Sequence, residues 1–175
     1  MKKILTLLLL NLFFSNLSAS DIKLEKIISG LKKPWSLSFI DENKIILTEK
    51  SGKLSILNLN TKEIKKINHN LSILEDGQGG LLDVLYNDGE IFISYSENRG
   101  NWRTSTSVAK GKFNNNNIKF KNIFRAEPPI DSGYHFGSRL LIKEKYLFIT
   151  AGERGKGMIA QDPTKHPGSI IRINL

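Results

Sequence analysis

From residue 21 onward, the hydrophobic positions of the chain fall into short runs separated by turn residues. The runs are bounded by stretches such as DEN, SG, NDG and NNNN, which are typical of turns. Nowhere does the sequence show the sustained 3.6-residue spacing of a long amphipathic helix. The pattern therefore predicts an all-β protein. The predicted strands cover residues 35–40, 44–50, 53–59, 62–67, 80–86, 90–97, 106–113, 118–126, 138–143, 146–153 and 168–175.

A unit of strand, tight turn and strand recurs along the chain, beginning near Ser36, Leu81 and Arg139. The starts are 45 and 58 residues apart, in or just beyond the range of roughly 40–50 residues for a four-stranded propeller blade. Strands that are apolar almost throughout, such as residues 44–48, suit sheets covered on both faces by neighbouring blades. A β-sandwich, the alternative fold, favours cleaner alternation. The pattern thus favours a β-propeller.

Residues 21–175 have the length of about three blades, and the third blade lacks its last strand. Because propellers close with roughly four to eight blades, this domain is predicted to be the N-terminal part of a larger propeller. An open propeller exposes a blade face and an unpaired strand, which favour aggregation. We therefore expect residues 21–175 alone to fold poorly or to associate.

The first twenty residues have the layout of a secretory signal peptide. Lys2 and Lys3 precede an almost unbroken apolar stretch at 4–14, and small residues lead to Asp21. The apolar stretch is shorter than the ~20 residues of a membrane-spanning helix, the alternative interpretation. Cleavage is predicted after Ser20. Since the chain has no cysteine, a lipid anchor and disulfides are excluded, and the prediction is a periplasmic or secreted protein without a membrane anchor.

The chain is basic, with a formal net charge of +9. A basic balance can indicate a nucleic-acid partner. Here, however, the lysines are scattered among acidic residues and form no long basic run with interleaved aromatics. A solvated lysine-rich surface is the better interpretation, so no nucleic-acid partner is predicted.

Three glycine-containing loops carry candidate chemistry. Gln78, in EDGQGGLLD at 75–83, can donate and accept hydrogen bonds beside glycines that admit a ligand. His135, in SGYHFGSRLLI at 132–142, can accept a proton near neutral pH, and Arg139 can contact an anionic or carbonyl-bearing ligand. Glu153, at the end of a predicted strand, could orient the imidazole. Each candidate has an alternative without chemistry. The loop of Gln78 could be a plain connection between blades, His135 could be a structural histidine, and Glu153 could belong to a surface Glu153–Arg154 turn.

Other chemistries have less support in the sequence. There is no cysteine or closely spaced histidine pair for zinc. No nucleophile elbow, Walker loop or dinucleotide fingerprint is present. The DGQGG stretch lacks the acidic spacing of a calcium-binding loop.

Four separated motifs resemble the glucose/sorbosone dehydrogenase family, the soluble PQQ-dependent aldose sugar dehydrogenases. They occur in the family's order, and the similarity runs from about Ile27 to the end of the chain. The motifs are GLKKPWSLSFI with KIILTEKSGKLSIL, then DGQGGLLDV, then HFGSRLLI with YLFITAGERG, and finally AQDPTKHPGSIIRIN.

The resemblance implies a six-bladed propeller that binds pyrroloquinoline quinone (PQQ) and Ca²⁺ and oxidises aldoses to lactones, with an external electron acceptor. By the same resemblance, His135 matches the base for the anomeric hydroxyl, and Glu153 matches its acidic partner, which is aspartate in some relatives. Gln78 matches a residue beside PQQ and sugar, and Arg139 matches a motif arginine. Tyr134 replaces a polar residue and is expected to contact the substrate.

The resemblance also implies that most residues that clamp PQQ and hold Ca²⁺ belong to later blades. On this basis the chain is expected to be either a fragment of a full-length enzyme or a truncated gene product without activity of its own. Two other functions stay open: a non-redox propeller module that binds sugar or a protein partner, and a calcium-dependent lactonase-like hydrolase.

Overall fold

A computed structural model describes residues 22–175, so the predicted signal peptide at 1–20 lies outside the described residues. The regular secondary structure of the described chain is almost entirely β-strand, with one short 3-10 helix at Gly157–Gln161. The strands are β1 (Pro34–Asp41), β2 (Lys44–Glu49), β3 (Lys53–Asn58), β4 (Ile64–His69), β5 (Leu81–Asn87), β6 (Glu90–Asn98), β7 (Thr104–Lys112), β8 (Asn117–Ile118), β9 (Lys121–Arg125), β10 (Gly137–Lys143), β11 (Tyr146–Ala151) and β12 (Ser169–Asn174). The all-β prediction is confirmed.

The strands form three consecutive sheets. The first has the order β1-β2-β3-β4-β8, the second β5-β6-β7-β9 and the third β10-β11-β12. Within each sheet, adjacent strands pair antiparallel, as in the β1–β2 pair, where Leu37 lies opposite Leu47. The exception is the short β8, which runs parallel to the end of β4.

The prediction of one strand over 118–126 is wrong. This segment divides into β8 and β9, and the division falls at Phe120. The Asn70 side chain accepts a hydrogen bond from the Phe120 amide (2.8 Å) and donates one to its carbonyl (3.0 Å). Asn70 directly follows β4 of the first sheet. These hydrogen bonds therefore hold residues 117–120 against the first sheet instead of the second.

The core lies between the sheets, and the second sheet is covered on both faces. Ile91 and Ile93 of β6 pack with buried residues of the first sheet, including Ile46. Phe92, which points the other way in the strand, packs with Leu147 of the third sheet. Three sheets in a row, each covering the next, are successive propeller blades and exclude a two-sheet sandwich.

The two ends of this stack leave apolar side chains exposed. Leu37 and Phe39 of β1 are 54% and 60% exposed, and Leu141 and Ile170 of the third sheet are 60% and 73% exposed. An open, largely apolar cleft of about 660 Å³ extends along the β1 end. In a closed propeller such faces are covered by the next blade.

Candidate active site

His135 lies in the loop that connects β9 to β10. Its backbone has a φ of +49°, a left-handed conformation that is uncommon for a residue with a side chain. Its amide donates to Oε1 of Gln78 (2.9 Å), and the Gln78 amide donates to the carbonyl of Gly133 (2.6 Å) in the same loop. The two predicted site residues, 57 positions apart in the sequence, are therefore joined directly.

Glu153 is the side-chain partner of His135. Its Oε1 is hydrogen-bonded to Nδ1 of the imidazole and also accepts the amide of Gly155 (3.1 Å). The hydrogen bond from His135 is the largest influence on this carboxyl group and lowers its pKa below the ordinary value of 4.5. A carboxylate at Nδ1 places the proton of a neutral imidazole on that nitrogen, so Nε2 carries the lone pair that can accept a proton. The His135 side chain is 53% exposed, and its ring is accessible to a ligand.

Two glycines permit the loops to approach this closely. A Cβ on Gly152, directly before Glu153, would overlap the carbonyl oxygen of His135. A Cβ on Gly77, directly before Gln78, would lie 2.5 Å from the carbonyl oxygen of Gly133. Both glycines are therefore required for the backbone contacts that bring Gln78, His135 and Glu153 together.

Arg139 occupies a neighbouring but separate position on β10. Its side chain is 72% exposed, and Nη1 lies 3.2 Å from Oδ1 of Asp83. Among the described residues, no hydrogen bond joins Arg139 to Gln78, His135 or Glu153. Arg139 is therefore a predicted site residue that the structure does not bring into the His135 cluster.

Asp83 is a buried polar residue that is not among the predicted site residues. The buried carboxylate accepts hydrogen bonds from the Ser36 hydroxyl (2.5 Å) and from the Leu140 amide (2.7 Å). It thus links β1, β5 and β10, the first strands of the three blades. An acid inside the apolar run LLDVL was the available signal, since buried acids are normally paired.

Arg154 is buried, with only 2% of its surface exposed. The alternative of a surface Glu153–Arg154 turn is therefore wrong for Arg154. It donates to the carbonyls of Tyr134 (2.9 Å) and Thr104 (3.1 Å), and its guanidinium lies 3.6 Å from the Phe136 ring centroid. Nothing in the local sequence distinguishes this arginine from an exposed one, since its burial results from the convergence of its own loop, the β9–β10 loop and the start of β7.

Tyr134 presents its side chain beside the base. The residue is 60% exposed, and its ring centroid lies 6.1 Å from that of His135 in an edge-to-face arrangement. The predicted contact of Tyr134 with substrate stays a prediction.

Two kinds of feature are absent from residues 22–175. No group of three or more histidine, aspartate or glutamate side chains is placed to hold a metal ion. Within the same residues, no helix has the length and apolar character needed to cross a membrane.

Successive blades with a histidine–glutamate pair in the loops at one end define a β-propeller with an enzyme-like polar site. The family model for glucose/sorbosone dehydrogenases matches residues 31–175, and the chain belongs to that family.

Similar proteins agree with this assignment. The aldose sugar dehydrogenase YliI of Escherichia coli is 32% identical over 168 residues, covering 88% of this chain and 44% of that protein. The apo-form structure of the soluble aldose sugar dehydrogenase of E. coli superposes with a TM-score of 0.81 at 30% identity, covering 86% of this chain and 46% of that one. The PQQ-bound aldose sugar dehydrogenase of Streptomyces coelicolor gives 0.76 at 18% identity, covering 86% and 47%, which supports the fold. The chain thus spans about half the length of these relatives.

Proposed function

We propose that this chain provides the base-bearing half of a PQQ-dependent aldose dehydrogenase that oxidises sugars to lactones. The observation that carries the proposal is the joined cluster of Gln78, His135 and Glu153 in a member of the glucose/sorbosone dehydrogenase family. Relatives described as aldose sugar dehydrogenases support an aldose as the substrate.

His135 would act as the general base. Its Nε2 would accept the proton of the anomeric hydroxyl while the hydrogen on the anomeric carbon leaves as hydride, so that the C–O bond becomes the lactone carbonyl. Glu153 holds the Nδ1 proton and would stabilise the imidazolium that forms. Bound PQQ would supply the two-electron acceptor for the hydride, and an external acceptor would reoxidise it.

The polar groups of this chain suit part of a PQQ site. Oε1 of Gln78 is engaged by the His135 amide, so its amide NH₂ group would donate to a quinone oxygen. Arg139 keeps a largely exposed guanidinium, which suits a carboxylate. Following the family resemblance, we propose that the Ca²⁺ ligands and the remaining PQQ contacts come from blades beyond these three. On this proposal the three blades would be inactive alone.

Tyr134 would contact the sugar, since its exposed ring lies beside the base. Sugars commonly pack their C–H faces against aromatic rings, and Tyr134 also offers a hydroxyl. The leader-like residues 1–20 support export, and the proposed location is the periplasm or the extracellular space.

Dye-linked aldose oxidation by the protein produced from its native gene, with and without PQQ and Ca²⁺, tests the proposal. We expect a rate that requires PQQ. The absence of a PQQ-dependent rate across a panel of aldoses would contradict the proposal, and calcium-dependent lactone hydrolysis in the same preparation would support a hydrolase instead.

A further inference from the structure

Arg154 is a buried cation that binds neutral acceptors. Its Nη2 donates to the Thr104 hydroxyl (2.7 Å) and to the Ser132 carbonyl, in addition to the bonds from Nε and Nη1 described above. Among the described residues, no carboxylate oxygen lies within 4.0 Å of the guanidinium. Asp76 is the acid whose charge acts on Arg154 from a longer distance.

Most of the groups bound by Arg154 belong to the loop that carries His135. Nε and Nη2 bind the carbonyls of Tyr134 and Ser132, and the ring of Phe136 stacks on the guanidinium. The backbone amide of Arg154 also donates to the His135 carbonyl (3.4 Å). One residue therefore contacts the loop on both sides of the base.

The buried position is unfavourable for the charge itself. Burial lowers the pKa of Arg154 to about 10, so the guanidinium stays protonated at neutral pH but has lost its hydration. A cation buried without a close carboxylate gains less than it loses unless its hydrogen bonds are well satisfied. Arginine offers five donors in a rigid planar arrangement, which suits the simultaneous fixing of several carbonyl oxygens.

Glu153 and Arg154 are consecutive residues that hold different parts of the same loop. Glu153 binds the imidazole of His135, and Arg154 binds the backbone that carries it. A shift of the Ser132–Phe136 backbone would move the imidazole relative to both Glu153 and Gln78.

We propose that Arg154 is a positioning residue that holds the loop 132–136 in the conformation in which His135 is reactive. That His135 is reactive rests on the proposed function. That Arg154 fixes the conformation of the loop does not. A displacement of about 1 Å at a reacting group can cost on the order of 100-fold in rate, so loss of this anchor should lower kcat much more than it changes KM.

The test compares Arg154→Lys with Arg172→Lys in the protein produced from its native gene. Lysine keeps the charge but cannot bind several carbonyls with fixed geometry. Arg172 is the control, because it is exposed and stacks on Tyr146 at 4.7 Å without contacting the site. We expect kcat to fall about 100-fold in Arg154→Lys, with KM within about threefold, and no change in Arg172→Lys.

Amide hydrogen exchange provides a readout that is independent of activity. In Arg154→Lys, protection at the amides of Gln78 and His135 should fall at least tenfold while the core amide of Ile93 keeps its protection. Unchanged protection at Gln78 and His135 would overturn the proposal, and so would an equal loss at Ile93, since that would show a general structural role.

A second variant covers failure of the first to fold. Thr104→Val removes the hydroxyl acceptor of Nη2 and keeps the arginine. It should show the same selective loss of protection in smaller degree, and wild-type protection at both amides would overturn the proposal. If no PQQ-dependent rate exists at all, the exchange result still decides whether Arg154 positions the loop.

Discussion

The imidazole Nδ1 of His135 is hydrogen-bonded to Oε1 of Glu153, which follows it by 18 positions in the chain. The pair spans the two loops at one end of the third blade, before β10 and after β11. This contact determines which ring nitrogen carries the proton and which one faces outward.

Glu153→Gln should lower aldose oxidation by at least about 100-fold. The amide can hold the ring through its carbonyl oxygen, but it no longer stabilises the imidazolium that forms during proton transfer. Steady-state kcat is the measurement. Glu153→Asp is the matched control, and it should retain part of the rate because the carboxylate is kept; equal rates for all three proteins would contradict the role of Glu153.

The carboxyl group of Glu153 should titrate below its ordinary pKa of 4.5, because the hydrogen bond from His135 favours the ionised form. Its contribution to the site is therefore complete above pH 4.5 and is lost only as the pH falls through the lowered folded pKa. In His135→Ala the largest cause of the shift is absent, and the pKa should rise towards 4.5. Carboxyl ¹³C NMR titration measures both values. An unchanged pKa in the variant would show that His135 is not the cause.

Gly152→Ala should disrupt the site, because the added Cβ overlaps the carbonyl oxygen of His135. We expect a destabilisation of about 1–3 kcal/mol, as for other overpacked positions, together with loss of activity. Gly157→Ala is the control, since nothing lies within 4 Å of a Cβ there. The free energy of unfolding from denaturant titration measures the effect, and equal stability of both variants would be inconsistent with the close approach.

Residues 21–175 alone should fold poorly or associate through their exposed blade faces. Replacing Leu37 and Phe39, which are more than half exposed, by glutamine should reduce the association, because less apolar surface remains to be covered. Sedimentation velocity at several concentrations measures this. A monodisperse wild-type monomer with cooperative unfolding would refute the prediction.

Much of the fold follows from the sequence because its signals are local. Apolar runs separated by turn residues indicate both the strand positions and the blade repeat. The predicted strands agree with the structure to within a few residues, apart from 118–126. That segment is divided by Asn70, which is 50 positions away. A contact between residues so far apart in the sequence cannot be predicted from the local pattern of apolar and turn residues.

The site was only partly predictable for the same reason. Gln78, His135 and Glu153 each stand beside glycines in loops that follow or precede apolar strands, and the structure joins them. Asp83 and Arg154 were missed because their importance lies in burial, which depends on how separate strands and loops converge.

The most direct test of the central claim is PQQ-dependent aldose oxidation by His135→Ala, measured beside PQQ binding in the same preparation. The imidazole is the proposed base, whereas none of the proposed PQQ contacts depends on it. We predict that the rate falls by at least about 100-fold, as expected for loss of a general base, while PQQ binding is largely kept. Wild-type turnover in this variant would contradict the account.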